Sequence, residues 1–415
     1  MEQMEQYKTL RKLYYGDPET YQQVYERRFS ESTTVHLDFL IGEHPAFFVQ
    51  DNAVIQKVFP ILRLDKEIAL LKCQLPQIAL QQYTRKCLID EVVLTNQIEG
   101  IHSSRKEIGD VLDELEEQST HRKKKLRFDG IVKKYVMLQE GESLALETCQ
   151  DVRDLYDALV LDEVMEEDPK NRPDGILFRK GQTEIKSATD QTEIKSATDK
   201  ILHKGIYPEE KIFAALEKAL AFLGDGRIEG LYRICLFHYL LEYIHPFYDG
   251  NGRLGRFVVS EYLARTMDPL LGYRLSKTVK ENIQKYYKAF DTCNHPRNRG
   301  DLTPFLLMML EMIEQSEEDL KESLKERVTL LNRYGDYILQ LPNAEKRDMQ
   351  DLYFLLIQAA LFGEAGISTK ALQHCLPASY GKVRVLLNSV PDELLDSKRV
   401  GREKYYSLKI EKLPV

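Results

Sequence analysis

The segment His245-Pro246-Phe247-Tyr248-Asp249-Gly250-Asn251-Gly252-Arg253-Leu254-Gly255-Arg256 constrains this chain more than any other stretch of it. An apolar helix ends at Ile244, a Gly-Asn-Gly turn follows, and a second helix starts near Arg253. Gly250 and Gly252, on either side of Asn251, let backbone N–H groups converge into an anion site at a helix N-terminus, where the dipole also favours phosphate. Arg253 and Arg256 are three apart and share one side of the new helix, so two guanidinium forks are available for further phosphates. Asp249 is a hard oxygen ligand suited to Mg²⁺ that bridges phosphates. His245, at the mouth of the loop, can take a proton from an incoming hydroxyl near neutral pH. Base, metal ligand, anion cradle and arginines in one short segment describe phosphoryl or nucleotidyl transfer.

The surrounding chain reads as mainly α. Residues 1–60 are mixed, with turn signals at Gly16-Asp17-Pro18 and His44-Pro45 and room for a strand or two. From about Ile61 apolar residues recur at three- and four-residue spacing through two helices separated by Pro76. A third helix opens with Ser103-Ser104 and Glu107, the form of a capping box. Prolines and glycines break the rhythm over 169–208, where short alternating runs predict a β-hairpin. Within it QTEIKSATD at 182–190 recurs identically at 191–199, too short a unit for a stacking repeat and read as a local duplication or an assembly error. The basic run at 121–127 reads as a solvated loop, and 320–334 as a charged helical connector.

Composition then narrows the class. The length of 415 residues fits two or three domains at roughly 100–200 residues each. A formal charge of −8 argues against a chain dominated by phosphate-backbone contacts. No run approaches the ~20 apolar residues of a membrane-spanning helix, and the first residues lack the pattern of a secretory signal. Six scattered cysteines without a C-x-x-C pair read as reduced thiols, which sets the expected location as cytoplasmic.

The segment 245–256 resembles the signature of the Fic family, H-P-F-x-[D/E]-G-N-G-R-x-x-R, and matches it at every fixed position. The resemblance implies a helical Fic core that transfers AMP from Mg·ATP to a Ser, Thr or Tyr hydroxyl of a target protein, including itself. Carried over by position, His245 is the base and Asp249 holds Mg²⁺. Gly250, Asn251 and Gly252 cradle the phosphates, Arg253 neutralises charge as pyrophosphate leaves, and Arg256 holds the γ-phosphate. Tyr287 and Asn294 match positions that line the adenine pocket in some relatives. The 169–208 hairpin falls where relatives carry a flap that pairs with a target segment by strand addition, so the duplication bears on target choice rather than chemistry.

Upstream, Thr95-Asn96-Gln97-Ile98-Glu99-Gly100 resembles the inhibitory motif [S/T]-x-x-x-E-[G/N] of the same family. A Glu99 carboxylate paired to Arg256 would occupy the guanidinium that the γ-phosphate needs. In some relatives this glutamate also positions a water that removes AMP. The tail reads as helix, short helix, turn, helix and two-stranded ribbon, the layout of a winged helix-turn-helix. Residues 346–415 carry 11 Lys+Arg against 8 Asp+Glu. Lys382, Arg384, Arg399, Arg402 and Lys404 would serve DNA phosphates, and protein docking or dimerisation is the equal alternative. The expected organisation is 1–115 with the inhibitory motif, 116–320 as the core, 321–345 as the connector and 346–415 as the winged helix. Alternatives to AMP transfer are a DNA-binding regulator with a nucleotide-sensing core, another nucleotide as donor, or AMP removal.

Overall fold

The computed structural model describes residues 7–116, 126–140, 144–186, 201–400 and 403–413. Helices α1 (Leu10–Gly16) and α2 (Pro18–Ser30) meet at the expected Gly-Asp-Pro turn. There the Asp17 side chain caps α2 by accepting from Thr20 N, and Pro18 occupies the first helical position, where its missing N–H costs nothing. Strands β1 (Thr34–Ile41) and β2 (His44–Val49) form an antiparallel hairpin. His44-Pro45, read as a turn, lies inside β2 instead. The turn sits just upstream at Gly42, which takes φ 61. Pro45 falls near the strand start, where a missing donor is tolerated.

Helix α3 (Asn52–Lys72) begins earlier than its apolar spacing suggested and runs through Pro60. After it come α4 (Gln77–Ile98) and α5 (Arg105–Glu116). The capping box of α5 is present: Ser104 N donates to Glu107 Oε2 at 2.8 Å, and Glu107 N donates to Ser104 Oγ at 3.2 Å. Next are α6 (Asp129–Glu140), α7 (Cys149–Tyr156) and α8 (Asp162–Glu167), the last two joined by a π-helical turn over Asp157–Leu161. Among the described residues of the predicted hairpin, only β3 (Glu184–Lys186) and β4 (Ile201–Lys204) pair. The stretch before β3 is a 3-10 turn at Pro169–Asn171 and irregular backbone, because prolines and glycines there deny a ladder its donors and side chains. Most of the duplicated segment, residues 187–199, and most of the basic run, 121–125, lie outside the described residues.

The remaining helices are α9 (Glu209–Gly224), α10 (Gly230–Ile244), α11 (Asn251–Thr266), α12 (Pro269–Gly272), α13 (Leu275–Glu281), α14 (Ile283–Asn294) and α15 (Thr303–Tyr337). The expected connector continues α15 without a break as far as Tyr337. Then follow α16 (Arg347–Phe362), β5 (Ile367–Ser368), α17 (Thr369–Cys375), α18 (Tyr380–Asn388), β6 (Leu395–Val400) and β7 (Glu403–Leu408).

The chain divides into two compact units, 1–64 with 89–317 and 65–88 with 318–415, a division that differs from the four expected segments. In the first unit α10 is apolar around its circumference, and only three of its fifteen residues escape burial, so it forms the centre of the core. In the second, β5, β7 and β6 make a three-stranded antiparallel sheet in the order β5-β7-β6. Tyr83 there donates or accepts at Ser323 Oγ, 2.8 Å away, and sets its ring edge against Phe362. All six cysteines are free thiols. Among the described residues no helix is long and apolar enough to cross a membrane.

Candidate active site

Two buried helices deliver the loop. α10 stops at His245, which adopts left-handed backbone (φ 52, ψ 63) and caps the helix by donating its N–H to Leu241 O. α11 restarts after Gly250, also left-handed at φ 82, where a Cβ would press on Val160 and Tyr156. Asn251 braces the turn between them: its Oδ1 accepts from Phe247 N at 3.0 Å and its Nδ2 donates to Phe247 O at 2.9 Å. The Asn251 side chain, expected at the phosphates, is thus spent on the loop itself. The polar groups left available at this turn are main-chain, since the first amides of α11 have no intrahelical partner. Phe247 is anchored by a stacked Tyr156 ring with centroids 3.6 Å apart.

His245 sits beside Glu242, Arg179 and His203. Its Nδ1 lies 3.9 Å from Glu242 Oε2 and has no hydrogen-bond partner. Burial, then the Arg179 guanidinium and His203, hold its imidazole down to about 3, so it is neutral at physiological pH. Asp249 is half-buried, and its Oδ1 accepts from Gly250 N at 2.5 Å.

The arginines are placed differently from each other. Arg253 is fully buried and donates Nη1 to Glu163 Oε2 at 3.0 Å. Among the described residues its Nε and Nη2 have no hydrogen-bond partner, which leaves two donors unspent. Arg256 Nη2 lies 2.7 Å from Glu99 Oε1, with Nε on Thr95 Oγ1 at 2.9 Å and Nη2 also on Thr95 O at 3.1 Å. Against the cost of burial, Glu99 raises the Arg256 guanidinium further above its ordinary range. Gly252 makes this pairing possible, because a Cβ there would overlap Glu99 Oε1. Glu242, a residue that sequence reasoning missed, completes the setting. Burial and the Glu99 charge push its carboxyl up to about 8 against the pull of Arg256, so it stays protonated and does not compete for the guanidinium.

Tyr287 stands close enough to Glu99 and Arg256 to feel both, and burial raises its phenol to about 12. Asn294 accepts from Tyr239 Oη at 2.5 Å, inside a ring cluster of Tyr239, Phe290 and Phe305. Besides Glu242, the residues with no sequence signal were Arg179 and Glu163. Their roles rest on contacts far along the chain, which leave no periodic trace.

Residues 148–263 match the model of the Fic/DOC family, a span that contains the whole loop. The chain carries a Fic/DOC family domain. Over 121 residues the chain is 29% identical to the protein adenylyltransferase Fic of Drosophila melanogaster, covering 27% of this chain and 23% of that one. The corresponding protein of Nematostella vectensis is 35% identical over 81 residues, 20% of this chain and 17% of the relative. The chain therefore spans about a quarter or less of the length of these relatives. Among solved structures, a Fic family protein from Desulfovibrio desulfuricans aligns over 84% of this chain and 96% of its own, with 20% identity and a TM-score of 0.45.

Proposed function

We propose that this chain is a protein adenylyltransferase held off by its own Glu99. The observation that carries the reading is the Glu99–Arg256 ion pair at 2.7 Å, reached from a motif far upstream of the Fic loop. ATP is the donor, and a Ser, Thr or Tyr hydroxyl of a target protein, or of this chain, is the acceptor. His245 takes the hydroxyl proton as the oxygen bonds to the α-phosphorus, and the bond to the pyrophosphate oxygen breaks. The free amides at the start of α11 and the two unspent donors of Arg253 stabilise the charge that develops on the phosphates. Arg256 holds the γ-phosphate once Glu99 withdraws. With Glu99 in place the nucleotide binds out of line, and resting transfer is low.

The donor set fits Mg²⁺ held by a single carboxylate, Asp249, with the remaining ligands coming from phosphates. Among the described residues no cluster of three or more metal-ligating side chains offers a protein cage. Mg²⁺ bound there neutralises phosphate charge. Tyr287 borders the nucleotide site, and β3–β4 receives the target segment along a strand edge.

The test is intact-mass spectrometry with Mg·ATP. Glu99→Gly should gain an AMP adduct on itself or on lysate proteins, the parent little, and Glu99→Gly with His245→Ala none. No adduct with Glu99→Gly overturns the reading. The C-terminal unit is read here as a winged helix that docks protein rather than DNA. On α18, Tyr380 and Val385 are 53% and 64% exposed, and Lys382 is paired with Asp348 rather than free for phosphate.

A further inference from the structure

Arg179 is fully buried and has no part in the chemistry assigned above. The backbone just before it is shaped by Glu209, whose carboxylate accepts from Ile176 N and Leu177 N at 3.0 Å and from Phe178 N at 2.9 Å. Those three bonds outweigh burial and hold the Glu209 carboxyl below its ordinary range, so it is ionised near neutral pH. From this platform, among the described residues, Arg179 donates to main-chain carbonyls alone. Nε reaches His245 O at 2.7 Å and Nη1 reaches Gly181 O at 2.5 Å. Nη2 reaches Ile206 O at 2.8 Å and Ile244 O at 3.4 Å.

Main-chain bonds reinforce the same junction. Arg179 N donates to Pro246 O at 3.1 Å and Ile206 N to Ile244 O at 3.0 Å. Gly181 leads into β3 and Ile206 follows β4, so one planar guanidinium joins both roots of the strand pair to the backbone of the base. Gly205 leaves room for it, since a Cβ there would overlap Arg179 Nη2 and stand 3.1 Å from His245 Cβ.

We propose that Arg179 is a positioning residue for AMP transfer, holding the His245 backbone and the roots of β3 and β4 in one frame so that a target hydroxyl presented at the strand pair arrives in register with the base. The inference rests on the reading of His245 as base. The charged and titratable groups facing His245 are Arg179, His203 on β4 and Glu242 on α10. A lysine at 179 would keep the charge but, as a point donor, could not span three backbone segments. A methionine would remove both charge and donors.

The experiment uses full-length Glu99→Gly protein with Arg179→Lys, Arg179→Met or Glu209→Gln added. Three quantities are measured: AMP self-transfer by intact mass, ATP affinity by calorimetry, and the His245 imidazole titration by NMR. Transfer should fall by roughly tenfold to a hundredfold in both Arg179 variants while ATP affinity holds. The imidazole titration should move up in Arg179→Met and stay low in Arg179→Lys, a pattern that a merely structural role would not produce. Parent-like transfer in both variants, or an unmoved imidazole in Arg179→Met, overturns the proposal. If Arg179→Met does not fold, Glu209→Gln decides: a smaller fall in transfer at unchanged ATP affinity supports it, and parent-like transfer sinks it. If Glu99→Gly with Arg179 intact yields no adduct, the adenylyltransferase reading fails by itself, and the imidazole titration alone then decides for or against the arginine.

Discussion

Around His245 the main chain is held by side chains from distant segments, whereas α17 and α18 of the C-terminal unit are capped by side chains three residues away. Arg179 reaches the His245 carbonyl across 66 positions and Arg256 reaches Thr95 across 161. By contrast Ser368 Oγ caps α17 at Ala371 N, and Ser379 Oγ caps α18 at Lys382 N. Local caps are completed within one turn and tolerate change on the outer face of the helix. Distant ties exist only in the finished fold, so they place reactive atoms accurately and make the loop sensitive to substitutions well outside it.

Breaking the distant ties should show this in order of severity. In Glu99→Gly protein, His245→Ala removes the proposed base and should lower AMP self-transfer by roughly 10²–10⁴-fold, read by intact mass. Asn251→Ala strands the buried amide and carbonyl of Phe247 and should cost about 1–3 kcal/mol in denaturant unfolding, with loss of transfer besides.

A third, smaller effect is on pH dependence. His238 is fully buried, its Nε2 lies 2.6 Å from Tyr286 Oη, and burial with the Arg256 charge lowers it from 6.5 to about 3. Between those values the unfolded chain binds a proton that the folded chain refuses. This stability is therefore complete above about 6.5 and is lost as pH falls toward 3. His238→Gln should flatten the fall in stability over that window, and an unchanged slope would show that other groups control acid unfolding. On the locally capped side, Arg384→Ala should shift unfolding by under about 0.5 kcal/mol. Duplex binding by fluorescence anisotropy should be weak for the parent and should not respond to this change. A steep salt dependence would instead assign the unit to DNA.

The contrast also marks what could be read before any coordinates. The α5 capping box was legible because Ser104 and Glu107 meet within one turn, and the His245–Arg256 loop because its residue types are crowded together. The Glu99–Arg256 pair became legible through family resemblance rather than spacing. Arg179 looked like one more charge in a Pro/Gly-rich stretch, since nothing local shows that a side chain will be spent on carbonyls elsewhere. Glu242 and Glu163 were hidden in the same way. The turn at Gly42 was misplaced onto His44-Pro45 because proline is tolerated near a strand start as well as in a turn.

Arg256 is gripped twice by Thr95, through Oγ1 and the carbonyl, independently of Glu99. The Glu99 side chain is 29% exposed while that of Arg256 is 2% exposed. Withdrawing the carboxylate therefore leaves the guanidinium where it stands. On the autoinhibited reading proposed above, release would move a solvent-reachable carboxylate whose guanidinium partner is held separately by Thr95.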